Sequence, residues 1–432
     1  MKIKPVARLR VSLDLEGEIR HVGDLAWSSR ERLAAFQYAP GFLQTGMNPS
    51  PFRLRRDASL QMAPRQPFEG LHGLFADSLP DGWGRLMVDQ AIRADGGDPG
   101  SMTLLDRLAI TGRTGMGALI FQPELPMTSD QGTSLDATDF DRLAKAAAFA
   151  QEGHITKDID DLRRANGGLA GARPKIVILL DPQTDRMRLD TGSLLSISPT
   201  PNEWAESWIV KFPAPGDGPD AGRIEHAYAC LAREAGIAFP PTRLFKGAGG
   251  QAYFGARRFD RMPRGRLHVH TAAGLLHADF RAPSIEYGDV IELTRRIAGL
   301  AADVDQMCLR MIFNVVAGNR DDHGKNHAFL MDAAGAWRLT PAYDVTPSDG
   351  PGGEHSLAIA GEGRRPLPEH VQSVATKASI SPRRLKNMLD AVAVALAGWP
   401  ALAEQAGVPE GAAKRIGADL RRRASDLGIV TA

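Results

Sequence analysis

The sequence predicts an α+β protein with a strand-rich amino-terminal part and a helical carboxy-terminal part. Arg8 to Gly17 alternates apolar and polar residues and then reaches a turn, which is the pattern of a half-buried strand. Asp303 to Ala317 instead carries its apolar residues at the spacing of one helix face. The alanine-rich segments 383–398 and 411–427 continue the helical pattern. The expected layout is therefore a mixed α/β first half followed by a helical second half.

The composition is that of a soluble globular protein of two or three structural units: 432 residues, 43% apolar and 24% charged. Lys and Arg total 52 against 51 Asp and Glu, so the chain lacks the basic excess of a protein that binds nucleic acid mainly through its phosphates. Cys230 and Cys308 are too few for a disulfide framework and fit a reducing cytoplasm. We expect no signal peptide in the first 17 residues and no membrane segment, because the longest apolar run, Ala391 to Ala403, is far shorter than the about 20 residues of a membrane span.

The first domain is expected to be β-rich and to span residues 1–125. Within it, the sequence LPDGWGR begins a helix that should be capped by Asp81 or Gly82 and end at Ile92. A glycine-rich turn and a short strand follow. Residues 123–140 are rich in Pro, Ser, Thr and Asp, which predicts a linker at the end of this domain.

A second domain, residues 150–265, is expected to be the α/β part of the core. PKIVILL, WIVKFP and YFGARRFDR are strand-like, and the polar insertion Asp181 to Glu206 is predicted to be a loop. One helix, Arg223 to Gly236, is expected between the strands, because Ile224, Tyr228 and Leu231 form one apolar face. Two prolines shortly after Gly236 forbid its continuation. Residues 266–432 form the third predicted domain, a helical carboxy-terminal lobe.

The segment Gly318 to Asp344 carries the strongest chemical signal. Asp321 and Asn326 stand at the D-x-x-x-x-N spacing of a phosphotransfer loop, in which the Asp accepts a hydroxyl proton and the Asn binds Mg²⁺. Two short apolar strands then form a hairpin that returns a second acid, Asp344, beside the loop. Any single D-x-x-x-x-N also occurs in ordinary capped polar loops. The interpretation depends on its combination with Lys325, the hairpin and Asp344.

Two further residue pairs bear on this interpretation. Lys211, in the strand WIVKFP, resembles the lysine that contacts ATP phosphates in kinases, and Glu225 on the following helix is its candidate acidic partner. The alternatives are a surface lysine at a strand end and a solvated helix residue. His323 and His327 are four residues apart, but no Glu follows the first His and a glycine lies between them, so we reject a zinc site.

A glycine-rich turn, NGGLAGARPK, precedes the strand PKIVILL. Its backbone N–H groups are candidates for wrapping phosphate oxygens, with Arg173 and Lys175 adding positive charge. The turn matches neither the Walker A pattern nor the dinucleotide-binding pattern. Taken alone, it would be interpreted as a tight hairpin.

Together these motifs resemble the HipA family of bacterial serine/threonine kinases, the toxin components of toxin–antitoxin pairs. The resemblance covers most of the chain through the blocks LPDGWGR, GMGALIF, AGARPK, IVKFP, ARRFDR, GNRDDHGKN and LTPAYD, of which the last two are the most specific. It implies a two-lobed, kinase-like fold with a β-rich amino-terminal subdomain, a nucleotide cleft and an all-helical carboxy-terminal lobe.

The resemblance also implies roles for individual residues. Asp321 would be the catalytic base, and Asn326 and Asp344 would bind Mg²⁺. The residues implied to bind ATP are those of the phosphate loop, Ala170, Gly171, Ala172, Arg173 and Lys175, the phosphate-contacting Lys211, the adenine-lining strand from Arg257 to Phe259, and His323, Lys325 and Tyr343.

Members of the family phosphorylate protein hydroxyls, and the best-known ones inhibit translation by modifying an aminoacyl-tRNA synthetase. They commonly pair with a small helix-turn-helix antitoxin that binds operator DNA. Two alternatives stay open: a kinase for a small molecule on a related scaffold, and a non-catalytic partner of a DNA-bound repressor. The presence of Asp321, Asn326, Asp344 and Lys211 favours catalysis.

The sequence departs from the family pattern at two places. Gly168 stands where the family often has an autophosphorylated serine, so that modification is excluded at this residue. An acidic pair that is frequent after the RFDR block is replaced here by His270–Thr271. With His268 and His277 nearby, a metal site is one interpretation, but a polar strand edge followed by a loop is the preferred one.

Overall fold

The computed structural model describes residues 5–125, 134–154, 158, 161–162, 171–190 and 205–430. By their internal contacts, the residues form two compact units. The first consists of Met1–Pro219, Arg243–His270 and Leu330–Ala336, and the second of Asp220–Thr242, Thr271–Phe329 and Trp337–Ala432. In the described part of the chain, no helix has the length and apolar character that crossing a membrane requires.

The first unit opens with an antiparallel sheet whose strand order is β4-β3-β2-β1-β5. Its strands are β1 (Arg8–Leu15), β2 (Glu18–Ser28), β3 (Leu33–Tyr38), β4 (Gln61–Met62) and β5 (Leu119–Gln122). β1 is the strand that the alternating pattern predicts, and its apolar side chains are fully buried. Between β3 and β5 the chain forms four α-helices: α1 (Pro40–Leu43), α2 (Gly73–Ala76), α3 (Gly82–Ala94) and α4 (Leu104–Thr111).

A second, six-stranded sheet in the same unit has the order β10-β11-β9-β7-β8-β6. Its strands are β6 (Ser134–Leu135), β7 (Lys175–Leu180), β8 (Met187–Leu189), β9 (Glu206–Lys211), β10 (Thr242–Lys246) and β11 (Ala252–Arg257). Every residue of β7 is buried, as expected for an uninterrupted apolar run in the middle of a sheet. α3 and α5 (Ala137–Gln151) pack against the sheet, where Trp83, Met87, Phe140 and Leu143 share one core with its strands.

The structure differs from three of the sequence predictions in this region. The predicted loop Asp181 to Glu206 contains strand β8, while residues 191–204 lie outside the described part of the chain. The segment predicted as a linker ends in the two strand residues of β6 and the start of α5. β11 ends at Arg257, so Phe259 follows the strand instead of belonging to it.

The second unit is mainly helical, as predicted. Its helices are α6 (Ala221–Glu234), α7 (Ala272–Leu276), α8 (Tyr287–Ala298), α9 (Ala301–Ala317), α10 (Pro368–Lys377), α11 (Pro382–Ala397), α12 (Trp399–Gln405) and α13 (Glu410–Asp426). A small third sheet contains β12 (His268–Thr271), β13 (Ala328–Met331) and β14 (Trp337–Leu339), in that order. β13 and β14 are the predicted hairpin.

Helix α9 leads directly into the chemically interesting segment. Nearly all of its residues from Met307 onward are buried, so it is a central helix of the second unit. It ends at Gly318, which has a left-handed conformation with φ +70°. A side chain there would collide with the guanidinium of Arg423, which donates to the carbonyl of Ala317. The end of α9 is therefore fixed where the next loop begins.

Candidate active site

The loop after α9 contains two adjacent aspartates in opposite environments. The side chain of Asp321 is 60% exposed, whereas that of Asp322 is fully buried. Asp322 accepts hydrogen bonds from the hydroxyl of Tyr287 at 2.7 Å, from Nδ1 of His355 at 2.8 Å and from the amide of Ser356 at 2.8 Å. These contacts hold the loop from inside and leave the neighbouring carboxylate accessible.

Hydrogen bonds to backbone carbonyls connect two of the three predicted phosphotransfer residues to each other, and the third to the start of the same loop. Nδ2 of Asn326 donates to the carbonyl of Asp321 at 2.7 Å, which closes the D-x-x-x-x-N segment on itself. Nδ2 of Asn319 donates to the carbonyl of Asp344 at 3.1 Å, so the residue after the hairpin is tied to the start of the same loop. Asp344 has φ +52°, a left-handed backbone conformation that turns the chain at this point.

The donor atoms in this loop suit magnesium. Because the amide nitrogen of Asn326 is used inside the loop, its Oδ1 is the atom oriented for other partners. Carboxylate and amide oxygens are hard ligands, and Mg²⁺ is commonly bound by one or two such side chains together with phosphates and water. Within the described residues, no cluster of three or more His, Cys, Asp or Glu is placed to bind a metal. A site completed by phosphates and water would need fewer protein ligands than such a cluster, and Asn326 and Asp344 are the candidates for them.

Three predicted nucleotide residues also lie around this loop. The hydroxyl of Tyr343 donates to the carbonyl of Lys325 at 2.7 Å. The Lys325 ammonium lies 4.1 Å from the centroid of the Phe280 ring, and the His323 ring contacts the same ring edge-on at 5.6 Å. The structure thus brings His323, Lys325 and Tyr343 together with Asp321.

His327 differs from its neighbours in this loop. It is buried, and neither of its ring nitrogens has a hydrogen-bond partner among the residues that the structure describes. Burial lowers the pKa of His327 to about 4, so the ring is neutral at physiological pH.

In the first unit, two predicted phosphate contacts are cross-strand neighbours. Lys175 of β7 is the register partner of Lys211 in β9. Opposed residues of antiparallel strands place their side chains on one face of the sheet. Phe254 is the partner of Lys211 on the other side, with the ammonium 5.5 Å from its ring centroid. Glu225, the candidate acidic partner, is buried on α6 of the second unit.

The remaining residues of the predicted ATP site are spread over the first unit. Ala170 lies outside the described residues, as do Gly167 and Gly168, whereas Gly171 and Ala172 begin the described part of the loop. Arg173 forms an ion pair with Asp217 at 2.9 Å, and Arg257 forms one with Glu206 at 2.7 Å. Phe259 is half-buried.

A buried ionic cluster at the RFDR block was not anticipated from the sequence. Asp260 is fully buried and accepts from Arg258 at 2.8 Å, from Arg261 at 2.6 Å and from the amide of Gly117 at 2.7 Å. Burial alone would raise the pKa of Asp260, but the charges of Arg258 and Arg261 outweigh it and hold the pKa well below its usual range. Both arginines also donate to the carbonyl of Gly115. The signal in the sequence was an aspartate with an arginine on each side, Arg258 and Arg261, just after an apolar strand.

The preferred interpretation of the histidine-rich segment is right about the strand edge and wrong about the loop. His268 and His270 lie in β12, which is an edge strand of its three-stranded sheet, and both side chains are fully buried. Nδ1 of His270 is 2.6 Å from Asp77, and its Nε2 is 3.1 Å from the hydroxyl of Ser50. The strand continues into helix α7, which His277 ends, and not into a loop. The polar partners that allow this burial lie almost 200 residues away in the sequence.

Comparisons with known proteins agree with these observations. A family model described as the HipA-like C-terminal domain matches residues 167–399, and the HipA N-terminal domain model matches residues 14–122. "Putative kinase Y4mE" of Sinorhizobium fredii is 29% identical over 290 residues, which cover 63% of each chain. "Putative kinase Y4dM" of the same organism is 30% identical over 154 residues, or 32% of this chain and 37% of that one. The chain therefore spans less than two thirds of the length of these curated relatives.

One solved structure shares the fold over almost the whole chain. It is the toxin–antitoxin system of HipA, HipB and its operator DNA from Shewanella oneidensis MR-1. The two chains align with a TM-score of 0.68 and 18% sequence identity, and the match covers 97% of each. The predicted fold class, a mixed structure with a strand-rich beginning and a helical end, is confirmed by this match.

Proposed function

Since the chain belongs to the HipA family, we propose that it is an ATP- and Mg²⁺-dependent kinase that phosphorylates serine or threonine hydroxyls of a protein. The observation that carries this proposal is the loop of Asp321 to Asn326. It presents one exposed carboxylate from a backbone that Asp322 and Asn326 hold in place. A phosphotransfer enzyme needs this combination, because catalysis depends mainly on positioning and on charge neutralisation.

Each residue then has a chemical role. Asp321 accepts the proton of the attacking hydroxyl as the oxygen bonds to the γ-phosphorus of ATP and ADP leaves. Asn326 and Asp344 hold Mg²⁺, which would neutralise charge on the phosphates. Lys175 and Lys211, opposed on one face of the sheet, supply positive charge to the phosphates. The other nucleotide contacts in this proposal are Ala170 to Arg173, Arg257, Phe259, His323, Lys325 and Tyr343.

The partners follow from the family in the same way. The solved structure with this fold contains HipA, HipB and operator DNA. We therefore include a small DNA-binding antitoxin among the proposed partners of this chain, through which it would reach operator DNA. A component of translation, such as an aminoacyl-tRNA synthetase, is the proposed protein substrate.

The test is phosphate transfer from γ-labelled ATP to proteins of a cell lysate, with Asp321→Asn in parallel. Removal of a general base lowers transfer by about 10²–10⁴-fold, while calorimetry should show that ATP binding is retained. Asp390→Asn is the matched control, because Asp390 is an exposed aspartate of α11 in the same unit.

Other outcomes reject the proposal or redirect it. Equal protein labelling by the wild type and Asp321→Asn would contradict the assigned base. Transfer to small molecules alone would make the chain a small-molecule kinase. If the wild type binds no ATP in the presence of Mg²⁺, the chain is better explained as a non-catalytic partner of a DNA-bound repressor.

A further inference from the structure

The LPDGWGR sequence at the start of α3 has no role in the proposed chemistry, yet it contacts the phosphate loop directly. The amide of Gly171 donates to the carboxylate of Asp81, and the amide of Trp83 donates to the carbonyl of Gly171 at 3.0 Å. The indole Nε1 of Trp83 also donates to the carbonyl of Lys175 at 3.1 Å. Three hydrogen bonds therefore connect the beginning of α3 to both ends of Gly171–Lys175.

The position of Asp81 shows that this contact is specific. Asp81 is the N-cap of α3, where an aspartate normally accepts from amides of its own helix. Here its side chain makes no such cap bond and binds Gly171, about ninety residues further along the chain, instead. Helix α3 therefore lacks the usual hydrogen bond from its N-cap side chain, and the Asp81 carboxylate stabilises the phosphate loop instead.

Close approach of the two backbones explains the glycine between these residues. A Cβ atom on Gly82 would lie 2.7 Å from Cα of Ala172, closer than side chains allow. Gly82 also has φ +45° and Gly171 has φ +105°, which side-chain-bearing residues rarely adopt. Asp81, Gly82 and Trp83 thus all contribute to the contact between α3 and the phosphate loop.

Burial of the Trp83 side chain holds this contact between α3 and the phosphate loop in place. Trp83 is 1% exposed and packs in one core with Ile176 and Ile178 of β7, the strand that follows the loop. Its indole fixes the carbonyl of Lys175, the residue that faces Lys211 across the sheet. The position of the two lysines therefore depends on a side chain from a helix that begins more than ninety residues earlier.

We propose that Asp81 and Trp83 are positioning residues of the ATP site, which hold Gly171–Lys175 ready for the phosphates before ATP binds. This inference rests on the proposed function. An ordered loop does not lose conformational freedom when the nucleotide binds, so its affinity is higher than that of a loosely held loop. Neither residue touches the reacting atoms, so their loss should weaken ATP binding without slowing the chemical step.

The experiment measures KM for ATP and kcat in full-length variants, with the dissociation constant for Mg²⁺–ATP from calorimetry. Asp81→Ala removes the acceptor for Gly171, and we expect KM to rise about tenfold with kcat nearly unchanged. Asp81→Asn keeps an acceptor oxygen and should restore most of the affinity. Trp83→Phe keeps a buried ring, loses the N–H donor and should raise KM by about three- to tenfold.

Two matched controls separate positioning from general stabilisation. Asp98→Ala removes a carboxylate that accepts from the amide of Gly100 at 2.9 Å, away from the phosphate loop. Trp399→Phe removes an indole donor to the carbonyl of Ala413 at 2.9 Å, from a side chain that is also almost fully buried. Both controls should keep the wild-type KM for ATP, even if their melting temperatures fall as far as those of the test variants.

The outcomes are distinct for the two proposals. If Asp81→Ala and Trp83→Phe keep the KM of their controls while the wild type binds and uses ATP, the positioning role is overturned and the proposed function stands. If kcat falls and KM does not change, the positioning role is likewise overturned. A wild-type protein that binds no Mg²⁺–ATP overturns the proposed function itself, and the inference with it.

Discussion

Two fully buried aspartates, Asp260 in the first unit and Asp322 in the second, each hold a loop, but they do so with different partners. Asp260 lies between the guanidinium groups of Arg258 and Arg261. Asp322 has no arginine or lysine among its hydrogen-bond partners in the described residues and accepts from Tyr287, His355 and two backbone amides. One site is an ionic cluster, and the other is a network of polar donors.

Because their partners differ, the two aspartates should respond differently to substitution. A buried ionic cluster is balanced only while all of its charges are present, because each charge alone is expensive to keep away from water. A network of hydrogen-bond donors without a buried guanidinium can accept a neutral substitute that keeps an acceptor oxygen. We therefore expect any single substitution in the RFDR cluster to cost most of the cluster's stability, whereas substitutions at Asp322 should weaken the loop of Asp321 to Asn326 in steps.

The largest expected effect is that of Asp260→Ala. It leaves Arg258 and Arg261 buried beside each other without the carboxylate, and we expect the free energy of unfolding to fall by about 3–5 kcal/mol. Chemical denaturation measures this loss. A fall of less than about 1 kcal/mol, the usual value for an exposed pair, would show that water reaches the cluster and that the comparison is wrong.

The same cluster has a defined dependence on pH. The folded-state pKa of Asp260 lies below its unfolded value, so its stabilising contribution is complete above about pH 4 and is lost as the pH falls further. Wild-type stability should therefore include an acid-labile component below pH 4. That component should be absent from Asp260→Ala.

The second effect is that of substitutions at Asp322. Asp322→Ala leaves the Tyr287 hydroxyl and the Ser356 amide without their acceptor, which should lower the free energy of unfolding by about 2–3 kcal/mol and also reduce phosphate transfer. Asp322→Asn keeps one acceptor oxygen and should lose about half as much stability. Denaturation and transfer assays on both variants test this order. Equal losses in the two variants would mean that charge, and not the acceptor atom, holds the loop.

Much of the fold and the centre of the site were predictable because their signals are local. The alternation in β1 and the helical spacing in α9 are read from neighbouring residues. The spacing of Asp321 and Asn326 likewise identifies the loop, since its six residues are closed by one hydrogen bond.

The features that sequence analysis missed depend on distant partners. Asp321 and Asp322 are adjacent and chemically identical, and only His355 and Tyr287, more than thirty residues away on either side, decide that Asp322 is buried. His270 is buried for the same reason, because its partners Asp77 and Ser50 come from far earlier in the chain. Helix α5 was missed because its buried face is largely alanine, which gives a weak amphipathic signal.

The third prediction compares how acid affects the two regions. His327, which directly follows Asn326, is buried with its pKa lowered to about 4, while the unfolded chain takes up a proton below about pH 6.5. Stability should therefore fall as the pH drops from 6.5 to 4, by about 1–2 kcal/mol at pH 5. This window lies above the one for Asp260. His327→Gln should remove about one proton from the slope of stability against pH, measured by denaturation between pH 4 and 7, whereas an unchanged slope would assign the titration to another group.

The smallest expected effect belongs to an ion pair without burial. Lys414 and Glu410 pair at 2.6 Å on helix α13, with about four fifths of each side chain exposed. Water and salt screen such a pair, so Lys414→Ala should change the free energy of unfolding by less than about 0.5 kcal/mol, and added salt should reduce the change further. Denaturation at low and high ionic strength measures it. Because the Arg261–Asp260 pair has the same 2.6 Å separation, a large effect at Lys414 would mean that distance and not burial determines the strength of these pairs. A small effect leaves burial as the property that separates the RFDR cluster from the surface.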